Sequence, residues 1–164
     1  MKGALLVLCV IAIAGLAMAQ DSPKAEVFGG YSYLRVNPSG LNTNGWEAAL
    51  TGNFGENFGI TADFSGHYAR GGHVYTYVFG PQIAARMDRF KPFGHLLFGG
   101  NSIGGGGGSD TSYALLFGGG LDVSLTTSVS VRVGQADYVR THHFDQGQND
   151  FRFSTGIVLN LGEK

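Results

Sequence analysis

The sequence predicts an all-β protein, an eight-stranded antiparallel up-and-down transmembrane β-barrel. Three observations point to this fold class. Side chains alternate between apolar and polar with a period of two, charged residues make up only 14% of the chain, and aromatic residues collect near the ends of the alternating segments. Because a soluble domain carries about 25% charged residues, most of the outer surface is predicted to face something other than water.

The first 19 residues are predicted to be a signal peptide that is cleaved on export. A lysine follows the initiator methionine, residues 4–16 form an apolar core, and residues 17–19 (Ala-Met-Ala) provide the small-residue cleavage pattern. Residues 20–24 then form a periplasmic N-terminal lead, and residues 25–164 form the barrel.

Eight segments of the exported chain alternate with a period of two, as half-buried strands do. The predicted strands are 25–35, 46–54, 58–68, 74–86, 92–100, 113–123, 129–140 and 150–161. An even number of strands returns both ends of the chain to the same rim, as in bacterial outer-membrane barrels. Long or flexible external loops are predicted over 36–44, 69–73, 101–112 and 141–149. Tight periplasmic turns are predicted over 55–57, 87–91 and 124–128.

The polar face of these strands is predicted to point into the barrel. None of the four lysines lies inside a predicted strand, so this chain lacks the lysine-rich exterior of a soluble barrel such as a lipocalin. An arginine that faced lipid near the bilayer midplane would cost about 2–4 kcal/mol. An eight-stranded barrel is just wide enough for side chains to fill it, so the inward charges should pair and plug the lumen. The predicted lumen network consists of Glu47, Asp63, Gln82, Arg86, His95, Asp122, Arg132 and Arg152.

Aromatic residues indicate the two membrane interfaces. The single tryptophan and all seven tyrosines fall in the strand halves next to the predicted long loops, as an outer interfacial girdle requires. The girdle is assigned to Trp46, Tyr68, Tyr75, Tyr113 and Tyr138. Four phenylalanines are predicted at the opposite rim, namely Phe54, Phe58, Phe90 and Phe93.

The seventh predicted strand leaves one question open. Val131 and Val133 face outward if Arg132 faces inward, but the same alternation would then turn Gln135 and Asp137 towards lipid. Either a β-bulge near Gly134 reverses the alternation, or the strand has already left the membrane at that point.

Several short motifs resemble the small outer-membrane β-barrel domains of the OmpA/OmpX type, and they span nearly the whole exported chain. They lie at 28–33 (Phe-Gly-Gly-Tyr-Ser-Tyr), 79–81 (Phe-Gly-Pro), 92–95 (Pro-Phe-Gly-His), 118–122 (Gly-Gly-Gly-Leu-Asp), 135–138 (Gln-Ala-Asp-Tyr) and 154–159 (Ser-Thr-Gly-Ile-Val-Leu). The resemblance implies insertion into the cell outer membrane by the barrel-assembly machinery. The family's assembly signal on the last strand matches Ser154, Gly156, Leu159 and Leu161, although no aromatic residue ends it here.

The expected function is a structural or surface-interaction role through the external loops. We expect a monomer that is not an enzyme and that holds no cofactor or metal. Its expected partners are outer-membrane lipid, the barrel-assembly machinery and a molecule outside the cell. The net charge of −1 argues against a nucleic-acid partner.

Two alternatives remain open at this stage, a narrow diffusion porin and a hydrolase that acts on lipids or peptides. The residue types that hydrolysis requires are present at Ser65, His67, His73, His142, His143 and Asp145. Ser65 and His67 lie about 7 Å apart along one strand face, which is long for direct proton transfer. His142, His143 and Asp145 also carry metal-ligating groups, but paired histidines in a loop are usually solvated.

Overall fold

The protein folds as a closed barrel of eight strands in sequence order. The computed structural model describes residues 22–37, 40–69, 71–105, 108–143 and 146–162, so the predicted signal peptide lies outside the described residues. The strands are β1 (Ala25–Val36), β2 (Leu41–Asn53), β3 (Phe58–Ala69), β4 (Gly72–Ala84), β5 (Phe90–Gly105), β6 (Gly108–Ser124), β7 (Val129–His143) and β8 (Gln146–Leu161).

Each strand pairs antiparallel with the next, and β1 pairs with β8 to close the barrel. This confirms the predicted fold class. Ala25 at the start of β1 lies opposite Leu161 at the end of β8. The first strand therefore begins, and the last strand ends, at the same rim. We call this the terminal rim and the opposite one the distal rim. No helix in the described part of the chain is long and apolar enough to span a membrane.

The connections at the distal rim are shorter than the sequence predicts. Successive strands there are separated only by residues 37–40, 70–71, 106–107 and 144–145, whereas those at the terminal rim are separated by 54–57, 85–89 and 125–128. The prediction of long connections on one rim and tight ones on the other is therefore wrong. Segments such as 101–105 are rich in glycine and small polar residues, which have low strand propensity, yet the paired backbone continues through them.

A β-bulge lies at Val133 and Gly134 in β7. Arg132 pairs with Gly156 and Gln135 with Ser154, so two residues of β7 lie opposite a single residue of β8. The extra residue reverses the alternation, and Arg132, Gln135 and Asp137 are consequently all buried on the inner face. Of the two readings left open for this strand, the bulge is the correct one.

The outer wall of the barrel is apolar. Large apolar side chains on all eight strands are exposed, including the neighbouring pair Phe79 and Phe98, whose ring centroids lie 4.6 Å apart. Within the described strand residues, the outward charged side chains are Arg35 and Arg140, and both lie near the distal rim. An exterior of this kind is an extensive apolar surface, which soluble monomers avoid.

The seam between β1 and β8 depends on a glycine with no room for a side chain. A Cβ atom at Gly30 would lie 2.1 Å from the Thr155 carbonyl oxygen and 2.8 Å from Gly156 Cα, whereas one at the neighbouring Gly29 meets nothing within 4 Å. We expect Gly30→Ala to lower the free energy of unfolding by about 1–3 kcal/mol because the backbone must move. Gly29→Ala is the matched control, and equal urea-unfolding midpoints for the two variants would contradict this role of Gly30.

Candidate functional site in the barrel lumen

Three layers of side chains line the barrel interior. Nearest the terminal rim is an ionic layer, here called the rim network, of Glu26, Arg86, Lys91, Asp122 and Arg132. Above it lies the central network of Glu47, Asp63, His95, Gln135, Asp137 and Arg152. Towards the distal rim follows an aliphatic layer of Leu34, Val78, Leu97, Ala114, Leu116 and Val139.

Arg152 is the hub of the central network. Its Nη1 and Nη2 atoms donate to Oδ1 and Oδ2 of Asp63 at 2.9 and 2.7 Å. Its Nε and Nη2 atoms donate to Oδ2 of Asp137 at 2.9 and 2.7 Å. Glu47 Oε2 lies 3.4 Å from Arg152 Nε. The four residues come from β8, β3, β7 and β2, so one buried guanidinium connects four strands across the lumen.

The side-chain amide of Gln135 links the central and rim networks. Its Nε2 donates to Glu47 Oε1 at 3.0 Å and to Asp137 Oδ2 at 2.7 Å, while its Oε1 accepts from Arg132 Nη1 at 2.6 Å. His95 Nε2 lies 2.7 Å from the other oxygen of Asp137. Both donor hydrogens and the acceptor oxygen of this amide are therefore used, as a buried amide requires.

The rim network crosses the interior near the terminal rim. Arg132 donates from Nε and Nη2 to the two carboxylate oxygens of Asp122 at 2.8 and 3.2 Å. Lys91 Nζ lies 3.0 Å from Asp122 Oδ2 and also contacts Glu26, which in turn accepts from Arg86 Nη2 at 2.8 Å. Positive and negative side chains thus alternate along this chain of partners. The cost of removing each charge from water is offset by an ion pair with a group of opposite sign.

Two phenylalanine rings flank the Arg132 guanidinium. Its Cζ atom lies 4.2 Å from the ring centroid of Phe28 and 4.3 Å from that of Phe93. Cation–π attraction at this distance adds to the ion pair with Asp122. Phe93 lies in the layer nearest the terminal rim, the end at which it was predicted, but its ring is 7% exposed and faces the lumen.

All eight residues of the predicted lumen network face the interior, and seven of them belong to the two networks. Gln82 lies apart from both and accepts a hydrogen bond from Thr61 at 3.1 Å. Sequence reasoning missed Glu26, Lys91, Gln135 and Asp137. Lys91 was assigned to a turn, and the placement of Gln135 and Asp137 depended on the bulge. The predicted network already balances three arginines against three carboxylates, so charge pairing gives no signal for the four missed residues.

The predicted girdle residues Trp46, Tyr68, Tyr75, Tyr113 and Tyr138 are all exposed on the outer wall. Trp46 Nε1 donates to the Tyr68 hydroxyl at 3.3 Å, and the rings of Tyr68 and Tyr75 meet edge to face at 6.2 Å.

The four predicted assembly-signal residues divide between the two faces of β8. Leu159 and Leu161 face outward, and Gly156 packs against β1. Ser154 is buried, with its hydroxyl 2.5 Å from Glu47 Oε2.

The hydrolase candidates Ser65 and His67, both within the described residues, do not pair with each other. His67 Nε2 lies 2.9 Å from the Ser32 hydroxyl, whereas Ser65 accepts from Arg152 Nη1 at 3.3 Å. Ser32 is fully buried. Among the described residues, no group of three His, Cys, Asp or Glu side chains could hold a metal ion. The side chains of His142 and His143, and the whole of Asp145, lie outside the described part of the chain.

A closed eight-stranded antiparallel barrel with an apolar exterior and paired charges inside is the architecture of small outer-membrane barrels. Three solved structures of this class share the fold. Neisserial surface protein A matches with a TM-score of 0.71 and 11% identity, over 87% of this chain and 100% of that one. The N-terminal β-barrel domain of Pseudomonas aeruginosa OprF matches with a TM-score of 0.60 and 9% identity, over 87% and 100%. Ail, the attachment invasion locus protein of Yersinia pestis, matches with a TM-score of 0.54 and 17% identity, over 84% and 99%.

These likenesses confirm the predicted resemblance at the level of the fold. No protein-family model matches the chain, and no curated protein matches it in sequence.

Proposed function

We propose that this chain is an integral outer-membrane protein with a structural or surface-interaction role, and that its lumen is plugged rather than conducting. In this proposal it is exported by the leader at residues 1–19, works as a monomer and carries out no catalysis. The observation that carries the proposal is Arg152, which is buried at the centre of the lumen with carboxylate partners from three other strands.

The plug follows from the size and pairing of the inner side chains. An eight-stranded barrel leaves an interior that side chains can fill, and here the rim and central networks are joined through Gln135. Removing Arg152 from its place would leave Asp63 and Asp137 buried without a cation, which costs several kcal/mol. Opening a water-filled path through these networks would separate the ion pairs, and each opening event would carry that free-energy cost.

Insertion into the membrane is proposed to use the predicted signal on β8. Leu159 and Leu161 offer an outward apolar stripe at the end of the last strand, and Gly156 allows close approach to β1 at the seam. Both features suit a last strand that must pair with β1 to close the barrel.

We expect the purified protein to show no large, steady conductance in planar lipid bilayers. The rim and central networks occupy the lumen, so ions have no continuous path of water. A large general porin inserted under the same conditions is the positive control. Regular, long-lived current steps from this protein would overturn the plugged lumen and favour the diffusion-porin alternative.

Interaction at the cell surface is proposed to use the distal rim. The paired strands continue there beyond the aromatic girdle, with β5 reaching Gly105 and β6 starting at Gly108. The girdle residue Tyr113 is 84% exposed at this end of β6. Strand ends held by backbone hydrogen bonds present a fixed surface, which lowers the ordering cost of binding a partner.

The orientation of the barrel can be tested with two single-cysteine variants. The only cysteine in the sequence lies in the predicted leader, so Thr111→Cys near the distal rim and Thr126→Cys in a terminal-rim turn each give the exported chain one thiol. In intact cells we expect a membrane-impermeant maleimide to label Thr111→Cys only, and to label both after permeabilisation. Labelling of Thr126→Cys alone in intact cells would reverse the orientation, and labelling of both would place the protein outside a sealed membrane.

A further inference from the structure

The lumen contains a cavity above the plug, at its distal end. The cavity has a volume of 750 Å³ and opens towards the distal rim. Aliphatic side chains form part of its wall, including Leu34, Val36 and Val74, and His67 also lines it. Its size lies within the range of small-molecule sites, which are mostly apolar with a few placed polar groups.

Two buried polar atoms of the cavity lining have no partner. His67 is 1% exposed and Asn101 is 4% exposed, yet neither His67 Nδ1 nor Asn101 Oδ1 has a hydrogen-bond partner in the described part of the structure. The other ring nitrogen of His67 is held by Ser32. A buried polar atom without a partner is costly, and native proteins pair nearly all such atoms. These two atoms therefore point to an occupant that supplies the missing hydrogen bonds.

The chemistry of the lining selects the class of occupant. Asn101 Oδ1 is an acceptor and needs a donor from the ligand. The charged groups among the lining residues are the carboxylates of Asp110 and Asp150, and the described lining contains no lysine or arginine. An anion would therefore be repelled, whereas a hydroxyl, amide or ammonium group would be accepted.

We propose that the distal cavity binds a small amphiphile with an aliphatic body and a hydrogen-bond-donating head that is neutral or cationic, such as an alkyl amine or alkyl alcohol. The head pairs with Asn101 Oδ1 and the alkyl body packs on Leu34, Val36 and Val74. The site lies on the distal side of Arg152 and the central network, so the cavity is closed at its base. This function is additional to the structural role proposed above.

Hexylamine and hexanoate are suitable probes because they share an alkyl chain and differ in the sign of their charge. With methyl-labelled protein in lipid nanodiscs, hexylamine should shift the NMR signals of Val36 and Val74 in a saturable manner. Hexanoate at the same concentrations should give no saturable shift. Absence of saturable shifts with hexylamine, or equal shifts with both probes, would overturn the proposal.

Substitutions separate binding in the cavity from partition into the lipid. Val74→Trp fills the cavity and should abolish the saturable shift at Val36, whereas Val27→Trp on the outer wall should leave it unchanged. Asn101→Leu removes the acceptor and should weaken hexylamine binding by about three- to tenfold. If Val74→Trp does not fold, as judged by a loss of heat-modifiable gel migration, Val36→Trp serves as a second variant with a filled cavity. Binding that survives both filled cavities would overturn the site while leaving the conductance and labelling results intact.

Discussion

Replacing Arg152 with methionine is expected to lower the free energy of unfolding by about 3–5 kcal/mol. Methionine keeps much of the side-chain length but removes the cation that Asp63, Asp137 and Glu47 share. Three carboxylates would then lie buried close together without that cation, and the cost of desolvating them would no longer be offset. Equilibrium urea unfolding from lipid vesicles, followed by the fluorescence of the only tryptophan, measures the change.

Two further variants show that the loss arises from unpaired charge. Arg35→Met removes an outward arginine near the distal rim, and we expect a change within about 0.5 kcal/mol. Adding Asp63→Asn and Asp137→Asn to Arg152→Met removes two of the three uncompensated charges, so a large part of the lost stability should return. If Arg152→Met unfolds like the wild type, the central network does not hold the barrel together.

An arginine placed on the outer wall is expected to destabilise the barrel by about 2–4 kcal/mol at mid-height. Ala62 is the position of choice, because it lies near the middle of β3 between the exposed side chains of Leu50 and Phe79. Ala62→Arg removes no large side chain, so the loss reports the transfer of a charge into lipid. Refolding into vesicles with urea titration measures it.

The matched control carries the same charge to the edge of the apolar wall. Thr111→Arg places it beyond Tyr113 towards the distal rim, where we expect a cost of about 0–1 kcal/mol. A cost that does not depend on height along the wall would show that the exterior is not immersed in a bilayer.

The alternation of side chains was sufficient to predict the barrel because each strand has one polar and one apolar face. The period of two survives wherever both faces carry informative side chains, as in β2, β3 and β8. It fails in the distal ends of β5 and β6, where glycine and serine contribute no contrast between the faces. There the strands are held by backbone pairing with their neighbours, which depends on the whole barrel and leaves little trace in the local sequence.

The candidate site was predictable in outline but not in its connections. The arginines and most of their carboxylate partners could be assigned to the lumen because lipid excludes them. Asp137 could not, since its direction depends on the bulge in β7. The inward direction of Phe93 could not be predicted either, because its contact with Arg132 is made across the lumen from another strand. Such long-range partners become visible only when the barrel is closed.

Adjacent leucines offer the most direct test of an outside that meets lipid and an inside that does not. Leu96 and Leu97 are 49% and 0% exposed, and Leu115 and Leu116 are 43% and 0% exposed. In otherwise deuterated, methyl-labelled protein in nanodiscs, nuclear Overhauser effects from lipid acyl chains should reach the methyl groups of Leu96 and Leu115 but not those of Leu97 and Leu116. Acyl-chain contacts at Leu97 and Leu116, or none at Leu96 and Leu115, would contradict the arrangement.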